Sequence, residues 1–149
     1  MKLEEAIKQK SFKSVIQKLN LNFIYTYSWM VNSQKKYYED HGLTMQQYNV
    51  LRILRGNYPA PYSTSMIRDR MLDKMSDVSR IVDRLCKKSL VSSSKCTSDK
   101  RLVDVIITDE GLELLENMDK TIMETEQIFA NLTEADQVQL GELLDKLRG

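Results

Sequence analysis

Histidine is almost missing from this 149-residue chain, which has His41 alone, and its two cysteines, Cys86 and Cys96, stand ten residues apart. One imidazole cannot build a His-based metal site or a Ser/His triad, and two isolated thiols do not make a zinc set. Two cysteines also fit reduced intracellular thiols better than a disulfide framework. The five glycines never cluster, so there is no glycine-rich loop to cradle a phosphate. No stretch nears the ~18 uninterrupted apolar residues of a membrane span. The opening MKLEEAIKQK has no apolar signal core, which makes the cytoplasm the expected compartment, with no membrane partner. Carboxylates are plentiful from 109 to 145 but fall on outward faces of amphipathic helices, where solvation explains them better than acid/base work. No enzyme activity, cofactor or metal is expected.

With 42% apolar and 29% charged residues, the chain has the composition of one ordinary globular domain, 1–149. Its net charge of +1 conceals a segregation. Residues 1–67 carry nine basic and four acidic side chains, and residues 68–101 carry ten and five. Residues 104–149 carry three and twelve. A basic middle beside an acidic C-terminal third fits one surface for phosphates and another kept away from them, although a solvated mosaic of charge has the same composition.

Apolar spacing predicts a long first helix over 11–40, ended by His41-Gly42. Thr44 and Gln47 form a capping box for a second helix with Tyr48, Leu51, Ile53 and Leu54 inward. Tyr58-Pro59-Ala60-Pro61 cannot continue it and leads to an extended piece around Tyr62. Ser63 or Thr64 caps a short helix, 65–72, that buries Met66 or Ile67 and Met71. Asp73 is expected to cap the next, 74–88, whose Val78, Ile81, Val82 and Leu85 follow the i, i+3, i+4, i+7 rule. Leu90–Lys95 and Leu102–Thr108 then read as two strands of a hairpin with 96–101 at its tip. Thr108 caps a helix to about Asn131, and Thr133 with Asp136 opens a last one to Leu147. The fold expected is mainly α with a small β-hairpin wing.

Short helix, turn, amphipathic helix and hairpin, in that order over 63–108, is the winged helix-turn-helix layout, whose second helix enters a major groove. The outward residues of 74–88 include Ser76, Ser79, Arg80, Arg84 and Lys87. Short hydroxyls allow close approach, and arginine can bond a guanine edge or a phosphate. Asp77 and Asp83 interrupt the positive run, and an ordinary charged surface helix would look similar. The hairpin tip Asp99-Lys100-Arg101 adds charge where it can reach a partner, so double-stranded DNA is the expected partner.

The run Ser76-Asp77-Val78-Ser79-Arg80-Ile81-Val82-Asp83-Arg84-Leu85, followed by Leu90-Val91, Asp99-Lys100-Arg101 and Thr108-Asp109-Glu110-Gly111, resembles the MarR family. Upstream, Leu43-Thr44 with Gln47-Tyr48 and Val50-Leu51 resembles that family's second helix. The likeness covers about residues 40–115. It implies a transcriptional regulator, in most cases a repressor. It also implies a homodimer with a DNA-binding lobe over 44–108, dimerisation helices over 1–40 and 109–149, and a pseudo-palindromic operator. It further implies that Arg101 enters a minor groove while Asp99 holds it. Two departures stand out: Ser92, Ser93 and Ser94 replace basic residues, and Ser89 replaces a glycine. The terminal helices support a dimer independently, because Phe12, Leu19, Phe23, Leu115, Ile122, Phe129 and Leu140 exceed what one small lobe can cover.

The family responds to small aromatic molecules. Tyr25 and Trp29 on the first helix, with Tyr48, could line a site for a small aromatic effector. Filling of the core or dimer interface is the competing role for each of these rings. Cys86 borders the buried face of its helix and reads as an inert small hydrophobe, and Cys96 lies near Lys95 and Lys100. A winged helix used only for protein contact is the functional alternative. Arg84 and Arg101 discriminate, being useful for phosphates and grooves but unnecessary to a protein interface. Arg101→Ala should therefore weaken operator binding by about 1–3 kcal/mol with the circular dichroism unchanged. Unchanged affinity would refute the wing-tip role.

Overall fold

A computed structural model describes residues 1–95 and 103–149 of the chain. Cys96, Asp99, Lys100 and Arg101 lie outside the described residues. The rest is mainly helical with one small antiparallel sheet. Among the described residues eight α-helices appear in order: α1 (Leu3–Ala6), α2 (Val15–Asp40), α3 (Met45–Arg55), α4 (Thr64–Arg70), α5 (Val78–Lys87), α6 (Asp109–Asp119), α7 (Met123–Glu126) and α8 (Glu134–Arg148). The strands are β1 (Tyr62–Ser63), β2 (Val91–Lys95) and β3 (Val103–Ile107), in the spatial order β1-β3-β2. Among the described residues no helix is long and apolar enough to cross a membrane.

The contacts divide the chain into two compact units, Met1–Lys36 with Thr125–Gly149, and Tyr37–Glu124. The second holds the core. Val50, Leu51, Leu54, Ile67, Met71, Val78 and Leu85 are almost fully buried, together with Val105 and Ile107 of β3. Residues 109–119, expected among the dimerisation helices, also enter this core through Leu115 and Met118. The Tyr37 hydroxyl donates to the Met118 carbonyl at 2.6 Å, and Arg55 pairs with Asp119 at 2.7 Å.

Local chemistry explains most boundaries. α2 begins at 15 rather than 11 because the Ser14 hydroxyl accepts from the Gln17 amide at 3.1 Å, leaving Phe12 outside the helix. Thr44 and Gln47 form the expected capping box of α3. The expected helix 65–72 is α4, capped by Ser63, and it buries Ile67 and Met71 while Met66 stays exposed. The helix expected over 74–88, capped by Asp73, instead starts at Val78 with Asp77 as its cap. The helix expected from Thr108 to Asn131 keeps its cap but stops at Asp119. There the Thr121 amide bonds back to the Met118 carbonyl at 3.0 Å, tightening the last turn. Thr133 and Asp136 form the expected capping box of α8, and the two bonds from Thr133 hold the Asp136 carboxyl below its usual pKa.

Two helix ends close in the same way. After α2, the Leu43 amide bonds to the Tyr38 carbonyl and the Gly42 amide to that of Glu39, both at 2.9 Å, with Gly42 at φ +69°. After α5, the Leu90 amide reaches the Leu85 carbonyl at 3.1 Å and the Ser89 amide that of Cys86 at 2.9 Å, with Ser89 at φ +60°. Both are Schellman ends, which place one left-handed residue just beyond the helix. Glycine serves the first without strain, but the serine's Cβ opposes the second.

The segment after β3 depends on small size at one position. Thr108 caps α6 through Gly111 N at 3.2 Å, and its hydroxyl donates to Ser89 O at 2.7 Å. A Cβ on Gly111 would collide with the Leu90 carbonyl and lie 2.7 Å from Ile107 Cγ1, so only glycine fits there.

Ser89→Gly should raise stability by about 0.5–1 kcal/mol, the relief of left-handed strain less the glycine's extra chain entropy. Thermal unfolding measures this as a gain of a few degrees; a lower midpoint would show that Ser89 is not strained.

Candidate nucleic-acid interface

The surface in question is built by α4, the turn after it, and α5. The Leu72 amide donates to Asn49 Oδ1 on α3 at 3.0 Å, fixing the start of the turn. Asp73 then closes it, with Oδ1 accepting from Met75 N and Oδ2 from the Ser76 hydroxyl, each at 3.0 Å. Asp77 caps α5 by accepting from the Arg80 amide at 3.1 Å, and its negative charge complements the positive end of the helix.

Val78, Val82 and Leu85 are buried, and this orients α5. At 3.6 residues per turn, Ser79, Arg80, Asp83, Arg84 and Lys87 then fall in one sector on the opposite side, and all five are exposed. Four of the sequence-selected residues, Ser79, Arg80, Arg84 and Lys87, are therefore brought onto one stripe. Ser76 is not on the helix. It is half-buried in the turn and its hydroxyl proton is committed to Asp73.

The C-terminal end of α5 is anchored. Lys88 Nζ donates to the Gly42 carbonyl and, at 3.4 Å, to Gln47 Oε1. A shallow groove of about 520 Å³ beside this anchor is lined by Arg84, Lys87 and Lys88 together with Gly42, Thr44 and Gln47. Sequence reasoning missed three cations nearby. Arg68, Arg70 and Lys74 are exposed on α4 and the turn. Arg70 is held over the Tyr62 ring, 4.5 Å from its centroid, and donates to the Met66 carbonyl at 3.3 Å. The signal was present in the basic count of 68–101, because the first helix of such a pair crosses the phosphate backbone.

Of the three aromatic residues selected for an effector, Tyr25 and Trp29 share a pocket of about 300 Å³ with Met1, Leu3, Asn22 and Thr26. Tyr48 belongs to the other unit, buried with its ring 5.1 Å from Tyr38 and its hydroxyl accepting from Arg52 at 3.0 Å. Burial raises the Tyr38 pKa, while the bond to Tyr48 raises that of Arg52.

Known proteins share this arrangement. The profile of the MarR family matches residues 43–103. The transcriptional repressor MdtR of Bacillus subtilis is 34% identical over 112 residues, which cover 73% of this chain and 70% of that protein. The chain belongs to the MarR family. A MarR transcription factor from Planctomyces limnophilus is 30% identical with a TM-score of 0.71, over 92% of this chain and 99% of the other. BpsR of Bordetella bronchiseptica, whose DNA binding is regulated by 6-hydroxynicotinic acid, is 25% identical with a TM-score of 0.77. That match covers 89% of this chain and 99% of BpsR. As a MarR-family member the chain is a DNA-binding transcriptional regulator, and its relatives are repressors rather than enzymes.

Helix-turn-helix docking gives different expected partners to the two ends of the α5 stripe. Arg80, in the first turn, faces the end that meets base edges in helix-turn-helix docking, and Lys87, in the last, the end that meets phosphates. Arg80→Ala should lose roughly 1–3 kcal/mol on the preferred duplex only. Lys87→Ala should weaken all duplexes alike and lower the salt slope by about one unit. Salt titrations on preferred and scrambled duplexes measure both; equal losses for Arg80→Ala on the two would rotate the reading face elsewhere.

Proposed function

We propose that this MarR-family chain is a homodimeric repressor binding a pseudo-palindromic operator, with its affinity modulated by a small aromatic ligand. The observation that carries the proposal is the α5 stripe, an exposed set of hydroxyl and cationic side chains set directly opposite the helix's buried face. In this reading Ser79 and Arg80 meet base edges, Arg84 and Lys87 meet phosphates, and Ser76 supports the turn. Asp99, Lys100 and Arg101 form the wing tip, as their place between β2 and β3 in the chain supports.

Dimerisation is assigned to Met1–Lys36 and Thr125–Gly149. Among the described residues of this unit only Leu3 and Thr125 are buried, and α8, 15 residues long, buries none. Val15, Ile16, Leu19, Phe23, Leu143 and Leu147 are all exposed in the single chain. Isolated helices of this length are marginal in water, so a unit with this little core needs a second copy over its apolar stripes. The pocket at Tyr25 and Trp29 is the proposed ligand site. Its aromatic walls suit a planar molecule, and the regulation of BpsR by 6-hydroxynicotinic acid is a precedent in a similar protein.

Selection of bound duplexes from a random pool at fixed salt should return an inverted repeat with half-site centres about one helical turn apart. Sedimentation should give a dimer at micromolar concentration. A stably folded monomer, or a pool with no enriched repeat, would overturn the reading. Trp29 is the chain's only tryptophan. Its emission should therefore change on titration with 6-hydroxynicotinic acid or a simple phenol, and a flat titration with every such compound would remove the ligand site.

A further inference from the structure

The turn between α4 and α5 holds two of the most exposed apolar side chains among the described residues. Leu72 is 84% exposed and Met75 92%. The turn bends their backbone into a fixed course through the bonds from Leu72 N to Asn49 and from Met75 N to Asp73. A stiff turn could as easily carry polar residues, as it does at Asp73, Lys74 and Ser76. Met75 stands two residues before Asp77, the cap of α5, at the end of that helix which faces base edges in helix-turn-helix docking. Arg68, Arg70, Lys74 and Arg80, all exposed, lie on either side of it in the chain, interleaved with Asp69, Asp73 and Asp77.

We propose that Met75 is a specificity-determining residue whose side chain packs against the C5-methyl group of thymine in the major groove. The inference rests on α5 docking in that groove. The thymine methyl is the one apolar feature among the hydrogen-bonding edges of the major groove, and an apolar side chain can recognise nothing else there. The flexible thioether reaches across small gaps and adapts to the methyl's position. Its place in the chain just before the capped end of α5, whose exposed stripe carries the proposed DNA contact, favours a duplex over a second copy of this chain. Sequence reasoning passed over Met75 because it placed the residue inside a helix, 74–88, where an apolar side chain is ordinary. With α5 beginning at Val78, Met75 has no core to enter.

The test uses the duplex that the wild-type protein selects, with each thymine replaced singly by uracil, which removes one methyl and nothing else. The wild type should lose about fourfold in affinity at one or two positions per half-site, the equivalent of one buried methyl group. Met75→Ala should bind the parent duplex more weakly and be indifferent to uracil at those positions. Its thermal midpoint and sedimentation should match the wild type, since the side chain touches little of the protein. Leu72→Ala should keep the full uracil sensitivity. The inference is overturned if no uracil position costs the wild type affinity, or if Met75→Ala shows the same losses as the wild type. It is also overturned if Met75→Ala changes the oligomeric state, which would make a second copy the occupant. A wild type that selects no duplex at all would instead remove the groove reading on which the inference stands.

Discussion

The rotational setting of α5 is the constraint on which the rest of the surface depends. Val78, Val82 and Leu85 are at most 3% exposed. Burying side chains of this size contributes about 1.5–3 kcal/mol each, so turning the helix by a third of a revolution would forfeit several kcal/mol. It would also drive an arginine into a core with no partner for it. The side chains offered to a duplex are thus selected by the apolar ones behind them. The MarR-family resemblance through Ser76–Leu85 mixes both kinds of residue, and three of its ten positions, Val78, Val82 and Leu85, are buried.

The ends of α5 are held as firmly as its face. At the start, Asp73 and Asp77 divide the work, one closing the turn and the other capping the helix. At the finish, Lys88 reaches the carbonyl of Gly42, the left-handed residue just beyond α2. Gln47 joins the two, because its carbonyl oxygen accepts both from Thr44 N in the α3 cap and from Lys88. Gln47 is only 4% exposed, and these bonds satisfy it. The threonine–glutamine pair that marks a helix start in the sequence therefore also supports a neighbouring helix.

Features set by near neighbours in the chain were legible in advance. The caps at Thr44, Ser63, Thr108 and Thr133 each need a hydroxyl and an amide three residues on, and all four are present. The apolar rhythm of α5 and the β-prone runs either side of 96–101 were equally plain. Choices between two adequate local signals were not. Asp73 and Asp77 are both good caps, and the bond from Leu72 to Asn49, 23 residues away, is what favours the later start. The end of α6 carries no glycine or proline, and depends on an ion pair from Asp119 to Arg55 on another helix. At the interface, Arg80, Arg84 and Lys87 followed from periodicity. Arg68, Arg70 and Lys74 did not, because nothing in their own spacing distinguishes them from an ordinary solvated surface.

The capping of α5 by Asp77 has an electrical consequence. Bare amides at a helix's first turn attract phosphate, and in this helix a carboxylate already occupies them. Two turns on, Arg84 and Lys87 offset the negative end of the peptide dipoles. The side-chain charge along this rod of about 15 Å therefore runs opposite to the field of its own backbone. Toward a polyanion such a helix is graded, least attractive at the Asp77 tip and most attractive at the Arg84–Lys87 heel. A duplex arriving in the reverse sense would set the Asp77 carboxylate against its phosphates and carry Arg84 and Lys87 away from them. The placement of Asp77 thus favours one docking polarity before any base is recognised.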